Sequence, residues 1–169
     1  MSSLLLAGVL LFGGFDIGGR VAGVYPAGDL NRFHSSSALL GANVGWSSGP
    51  VRFELGYGYT SLPGRQASPY RVSLHHPTLS VGWSFVDRPG WGFEAVAGGG
   101  YAFAGRAYGS GREDGGAPAS DLAINFVQRS GSSRLTVGFG HTMFIENGAG
   151  SGLVFNHLLS VRAGVAYAP

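Results

Sequence analysis

The chain has no cysteine, and all eleven of its basic residues are arginine, so it has no lysine either. Without thiols there are no disulfides, no cysteine nucleophile and no thiolate metal site. Without lysine there is no Schiff-base chemistry and no Walker-type phosphate lysine. Charged residues make up 12% of the chain, about half the usual share of roughly 25%. A water-facing surface of a domain this size needs more charge than that, so much of the outside is expected not to face water. The formal charge of +2 comes with no basic run that could follow a phosphate backbone, and nucleic acid is not an expected partner. No stretch keeps a helical period, and no apolar run approaches the ~20 residues of a membrane-spanning helix.

What remains is rich in glycine, with 31 residues, and in aromatics, at 12% of 169 residues. That length fits one domain. From Phe15 onward the chain divides into eight stretches of period two. "VRFELGYGYTS" is representative: Val51, Phe53, Leu55, Tyr57 and Tyr59 share one parity, and Arg52, Glu54, Gly56, Gly58 and Thr60 share the other. As a strand this run is apolar on one face and polar or small on the other. Similar alternation recurs in Phe15 to Tyr25, Ala38 to Ser47, Arg71 to Phe85, Trp91 to Phe103, Asp121 to Phe126, Arg134 to Ile145 and Leu159 to Tyr167.

The connections alternate in length. Short turns rich in Gly, Pro, Asp and Ser follow strands two, four and six: "SSGP", "VDRPG" and "RSGSS". Longer segments follow strands one, three, five and seven: "PAGDLNRFHSS", "LPGRQASPY", "GRAYGSGREDGGA" and "ENGAGS". The third of these reads as a polar, mobile loop. Short turns and both termini then fall at one end of the molecule, and long loops at the other. An up-and-down antiparallel barrel of eight strands gives this pattern directly, whereas a Greek-key sandwich does not. Runs of about ten residues suit tilted membrane strands. Tyr25, Trp46, Tyr57, Tyr59, Trp83, Trp91, Tyr101 and Tyr167 fall where interfacial aromatic girdles belong. The apolar parity is therefore expected to face lipid. The opposite arrangement, a soluble lipocalin-like barrel with an apolar ligand cavity, would put the charged parity outside.

On the lipid-facing register, the inward parity collects Arg20, Arg52, Arg134 and Arg162 with Asp16, Glu54, Glu94 and Asp121. An isolated ion there would cost several kcal/mol. Pairing into a plug is the expectation, and a conducting lumen the rival, because open channels belong to barrels of about 16 strands. No metal or other cofactor is called for. His75 and His76 are neighbours on one strand and point to opposite faces, so they do not chelate; they read as polar positions near a loop. "GGGY" and "GAGSG" lack the helix and lysine of a phosphate loop.

The segments "FDIGGRVAGVYPAGDLNRF", "LLGANVGW" and "VRFELGYGYTS" together resemble the small eight-stranded outer-membrane barrels of the OmpA and OmpX class. The resemblance spans about residues 15 to 167 and rests on pattern. It implies a Gram-negative-type outer-membrane location, contact with outer-membrane lipid, long loops outside the cell that could meet an extracellular partner, and a structural or surface-interaction role without catalysis. Lipid A deacylases, barrels of similar size, carry a His-x-Ser pair on a late strand with a carboxylate nearby. The tail "GFGHTMFIENGAGSG" is similar in layout through His141 and Glu146. Met143 stands where the serine should be, and the parity of Thr142 points into the lumen. Residues 1–14, "MSSLLLAGVLLFGG", read as a clipped or atypical export signal: apolar enough, but without a preceding basic residue or an Ala-x-Ala site. Residues 15–169 are then the barrel domain.

Overall fold

A computed structural model describes residues 14–65, 70–108, 111–147 and 153–169, with the side chains of Tyr108, Glu146, Asn147 and Leu153 left out of the description. The expected leader lies outside the described residues apart from Gly14, and so does the glycine run 148–152. The strands are β1 (Gly14–Ala27), β2 (Ser37–Ser48), β3 (Val51–Leu62), β4 (Arg71–Arg88), β5 (Trp91–Tyr108), β6 (Gly111–Ser130), β7 (Ser133–Asn147) and β8 (Leu153–Tyr167). One turn of helix, α1 (Leu30–Phe33), joins β1 to β2.

Each strand pairs antiparallel with its sequence neighbour, and β8 returns to β1, from Ile17 opposite Tyr167 to Ala27 opposite His157. The ring is closed, so no strand among those described presents a bare edge. At the short-turn end, Gly49, Gly90 and Gly131 take φ of 58°, 84° and 55°, a backbone region that other residues enter only with strain. This is why each tight turn carries a glycine at that point.

The alternation falls as the lipid-facing register requires. Ile17, Leu55, Leu79, Leu122, Ile124, Val137 and Phe139 are exposed on the outer surface, while Asp16, Arg52, Glu94 and Asn125 are buried inside. This is the reverse of a lipocalin-like barrel, and the lipocalin-like reading is corrected on that ground. Aromatic clusters bound the apolar band at both ends. Toward the short turns, Trp46 stacks on Phe53 with ring centroids 5.6 Å apart, and Phe85, Trp91, Phe93 and Phe126 form a second group. Toward the long connections stand Tyr57, Tyr59 and His75, with Tyr101 4.9 Å from Phe103.

Three features depart from the sequence reading. The segment expected as a polar, mobile loop after strand five is instead a continuation of the sheet: β5 runs to Tyr108 and β6 starts at Gly111, with Arg106 opposite Glu113 and Gly105 opposite Asp114. Arg112 Nε lies 2.7 Å from Asp114 Oδ1, so the charges that suggested a loop decorate a hairpin standing clear of the apolar band. β4 also outruns its expected end at Phe85, because a register shift between Ser84 and Val86 lets pairing continue to Arg88; such a bulge adds a residue without ending the ladder. The third departure is α1, a single turn too short to give a periodic signal.

Leu55 is 64% exposed at the middle of β3, between Val44 and Leu79. Replacing it with arginine should cost about 2–4 kcal/mol in a bilayer, whereas Gln128→Arg, beside a short turn, should cost about 0–1. Denaturant titration of the protein folded into lipid vesicles measures both.

Candidate functional site in the barrel lumen

The lumen is built in two levels by the inward parity of all eight strands. The lower level, nearer the short turns, is ionic. Arg52 on β3 reaches across to Asp16 on β1, with Nε 3.1 Å from Oδ2 and Nη2 2.5 Å from Oδ1. Arg52 Nη1 also donates to Glu54. This two-pronged contact uses the planar fork that lysine lacks. Glu54 further accepts from Asn43 Nδ2 at 3.2 Å and pairs with Arg20 at 3.5 Å. On the other side, Arg134 Nη2 lies 2.8 Å from Glu94 Oε2.

Glycine makes room for these long side chains. Gly45 sits between Asp16 and Glu54 on the neighbouring strands, and a Cβ there would lie 2.6 Å from Asp16 Oδ1 and overlap the Arg52 guanidinium. At Gly82 a Cβ would meet the Glu94 carboxyl carbon at 2.7 Å. The sequence pattern of glycine on the charged parity is thus a packing requirement.

Six of the eight charges expected in the lumen are therefore ion-paired: Asp16, Arg20, Arg52, Glu54, Glu94 and Arg134. The other two are held differently. Arg162 Nε donates to Asn125 Oδ1 at 2.9 Å, and Asp121 accepts from Thr142 Oγ1 at 2.5 Å. His76 completes this part, with Nε2 3.4 Å from Asp121 Oδ2. The sequence reading that placed His76 as a polar position near a loop is corrected: it is 8% exposed, inside the barrel. His75 faces outward as expected, where Tyr57 Oη lies 2.5 Å from its Nδ1.

The upper level, toward the long connections, is apolar. Val24, Leu62, Val72, Leu74, Phe144 and Leu158 are buried there, with Leu30 of α1, Leu39 and Tyr70 packed against them. Sequence reasoning missed this cap, although β4 carries a signal: Val72 and Leu74 lie on the parity that holds Ser80, Gly82 and Ser84 further down. A cavity of about 120 Å³ runs through both levels, lined from Glu94 and Arg134 below to Leu74 and Phe144 above.

The mouth is tied by its own backbone. The amide of Ser35 donates to the Pro63 carbonyl at 2.9 Å, and that of Arg65 donates to Phe33 at 2.9 Å. His34 is buried between these strands of chain, edge-on to Tyr70 with ring centroids 5.2 Å apart.

His141 lies on the outer face, as expected, but its Nε2 is 3.0 Å from His157 Nδ1, with the rings nearly parallel. Acyl transfer needs a base beside an oxygen nucleophile; the hydrogen-bond partner here is a second imidazole. Thr142 turns into the lumen, and the side chain of Glu146 lies outside the described residues.

Replacing Arg52 with methionine leaves Asp16 and Glu54 without their main cation. Stripping one partner from a buried pair costs about 3–5 kcal/mol. The expected loss should shrink in the double variant Arg52→Met with Asp16→Leu, measured by urea unfolding in detergent. A second expectation concerns pH. Burial, with a smaller contribution from the Arg106 charge, holds the His34 pKa below its ordinary 6.5, against a raising contact with the Pro63 backbone. The unfolded mouth therefore binds a proton more readily than the packed one, so packing is fully favoured above about pH 6.5 and weakens as pH falls below it. Hydrogen exchange of the Ser35 and Arg65 amides, corrected for intrinsic rate, should lose protection between pH 7.5 and 5.5, and His34→Gln should abolish that dependence.

No family model and no curated protein matches the chain. Solved structures do. Neisserial surface protein A is 14% identical, with a TM-score of 0.73 over 91% of this chain and 96% of that one. The N-terminal β-barrel domain of Pseudomonas aeruginosa OprF is 11% identical, with a TM-score of 0.59 over 92% and 99%. Ail, the attachment invasion locus protein of Yersinia pestis, solved with the heparin analogue sucrose octasulfate, is 10% identical, with a TM-score of 0.54 over 93% and 97%. The chain therefore has the fold of the small eight-stranded outer-membrane β-barrels.

Proposed function

We propose that this protein is an integral outer-membrane barrel that serves the envelope structurally and meets partners through its long connections, its lumen closed by the arginine–carboxylate lattice. The observation that carries the reading is the inverted exterior, where large apolar side chains such as Ile17, Leu55 and Phe139 are exposed around the whole ring while ion pairs occupy the lower interior. Such a surface is stable only against lipid. Where its charges are paired, the lattice satisfies them internally, which disfavours passage of ions through the lower lumen. The long-connection end supplies the interaction surface: the β5–β6 hairpin rises clear of the apolar band and exposes Arg112 and Asp114 to solvent. Ail, a barrel of this fold, was solved in complex with a heparin analogue, which supports a ligand-meeting role for such a barrel.

Two readouts on the native host's membranes test the proposal. The protein should need detergent for extraction and should change gel mobility on boiling. Because the chain has no cysteine, Gly111→Cys should react with an impermeant maleimide on intact cells, while Ser132→Cys should react only after the outer membrane is opened. A species that is soluble without detergent, or equal labelling of the two sites, would overturn the reading.

A further inference from the structure

The cavity that runs from the ionic floor to the apolar cap has, partway up, hydrogen-bond donors that the carboxylates do not hold. Arg162 gives Nε to Asn125 and has no carboxylate in ion-pair range among the described residues. Arg20 holds Glu54 only through a 3.5 Å contact and lines the same cavity as Arg162. His76 Nε2 is buried without a hydrogen-bond partner. The spare acceptor nearby, Asp121 Oδ2, already faces that imidazole at 3.4 Å. Toward the mouth the lining becomes Leu39, Leu74, Phe144 and Leu158. Donors at one end and hydrocarbon at the other suit a small molecule with an anionic head and a short apolar tail.

We propose that this cavity binds a short-chain monocarboxylate, its carboxylate between Arg162 and Arg20 and its alkyl chain against Phe144 and Leu158. A guanidinium with free N–H groups in a site shielded from water is a strong and directional partner for a carboxylate. The size is limiting: an apolar cavity of about 150 Å³ takes up benzene, so about 120 Å³ suits roughly six non-hydrogen atoms, the size of butyrate. The inference goes beyond the envelope role and does not depend on it, because binding is read on the isolated folded barrel.

The test uses the full chain folded in lipid nanodiscs, with butyrate, acetate, 1-butanol and butylammonium as probes. Butyrate should raise the unfolding temperature by several degrees in a saturable manner. Acetate lacks the tail, and the alcohol and amine lack the anionic head; each should give less than a tenth of the butyrate shift at equal concentration. Arg162→Gln should abolish the butyrate effect. Should that variant fail to fold, Leu158→Phe decides, since it fills the cavity and leaves every ion in place; it too should abolish the effect. No saturable shift with butyrate, an equal shift with butanol or butylammonium, or an undiminished shift in the folded variants would overturn the proposal.

Discussion

In hydrocarbon no water is present to satisfy a backbone amide, and each unpaired one costs several kcal/mol. The rest of the structure follows from meeting that constraint with strands. Pairing β8 back onto β1 removes the last edge, and closure then dictates that side chains point alternately to lipid and to a narrow lumen. The composition is the consequence. Charge is scarce because half of each strand faces an apolar solvent, and the charges within the apolar band, such as Arg20, Arg52, Glu54 and Arg162, are inside, where they must find partners. Arg52 shows the cost and its remedy: a cation that would be prohibitive alone is held by Asp16 from one side and Glu54 from the other.

Closure also explains the glycines. With eight strands the lumen is about one layer of side chains wide, so a long residue on one strand requires a missing one opposite. Gly45 faces the Arg52–Asp16 contact, Gly82 faces Glu94, and Gly41 faces Arg20, where a Cβ would lie 2.9 Å from Cγ. The lumen is thus filled by alternating long and absent side chains. The same narrowness means that small mismatches in filling leave space, and the cavity runs past both the ionic lattice and the apolar cap.

Much of this was legible in the sequence, because period-two alternation is a local property and the two lengths of connection repeat regularly. "VRFELGYGYTS" carries its strand, its lipid face and two members of the ionic lattice in eleven residues. All eight expected lumen charges belong to the inward parity, yet their partners were not readable. Arg52 meets Asp16 across 36 positions of sequence, and only the register of β1, β2 and β3 brings them together. Composition misled in the segment after strand five, where glycine and charge are as compatible with a water-exposed hairpin as with a loop. There the ladder between Arg106 and Glu113 overrode local preference.

The upper lumen is the more instructive miss. One parity is not polar along a whole strand, because the two ends of a strand answer to different surroundings. Low in the barrel the inward positions face other ions. High in the barrel they face Leu30 of α1 and Tyr70, which pack against the buried cluster. Val72 and Leu74 are apolar for that reason, and Ser73 and His75 on the same stretch turn out toward the aromatic band. A change of apolar parity partway along a strand is therefore a physical marker of where the contents of the lumen change. In β4 it falls between His75 and Leu79, level with the cavity wall formed by His76 and Thr78.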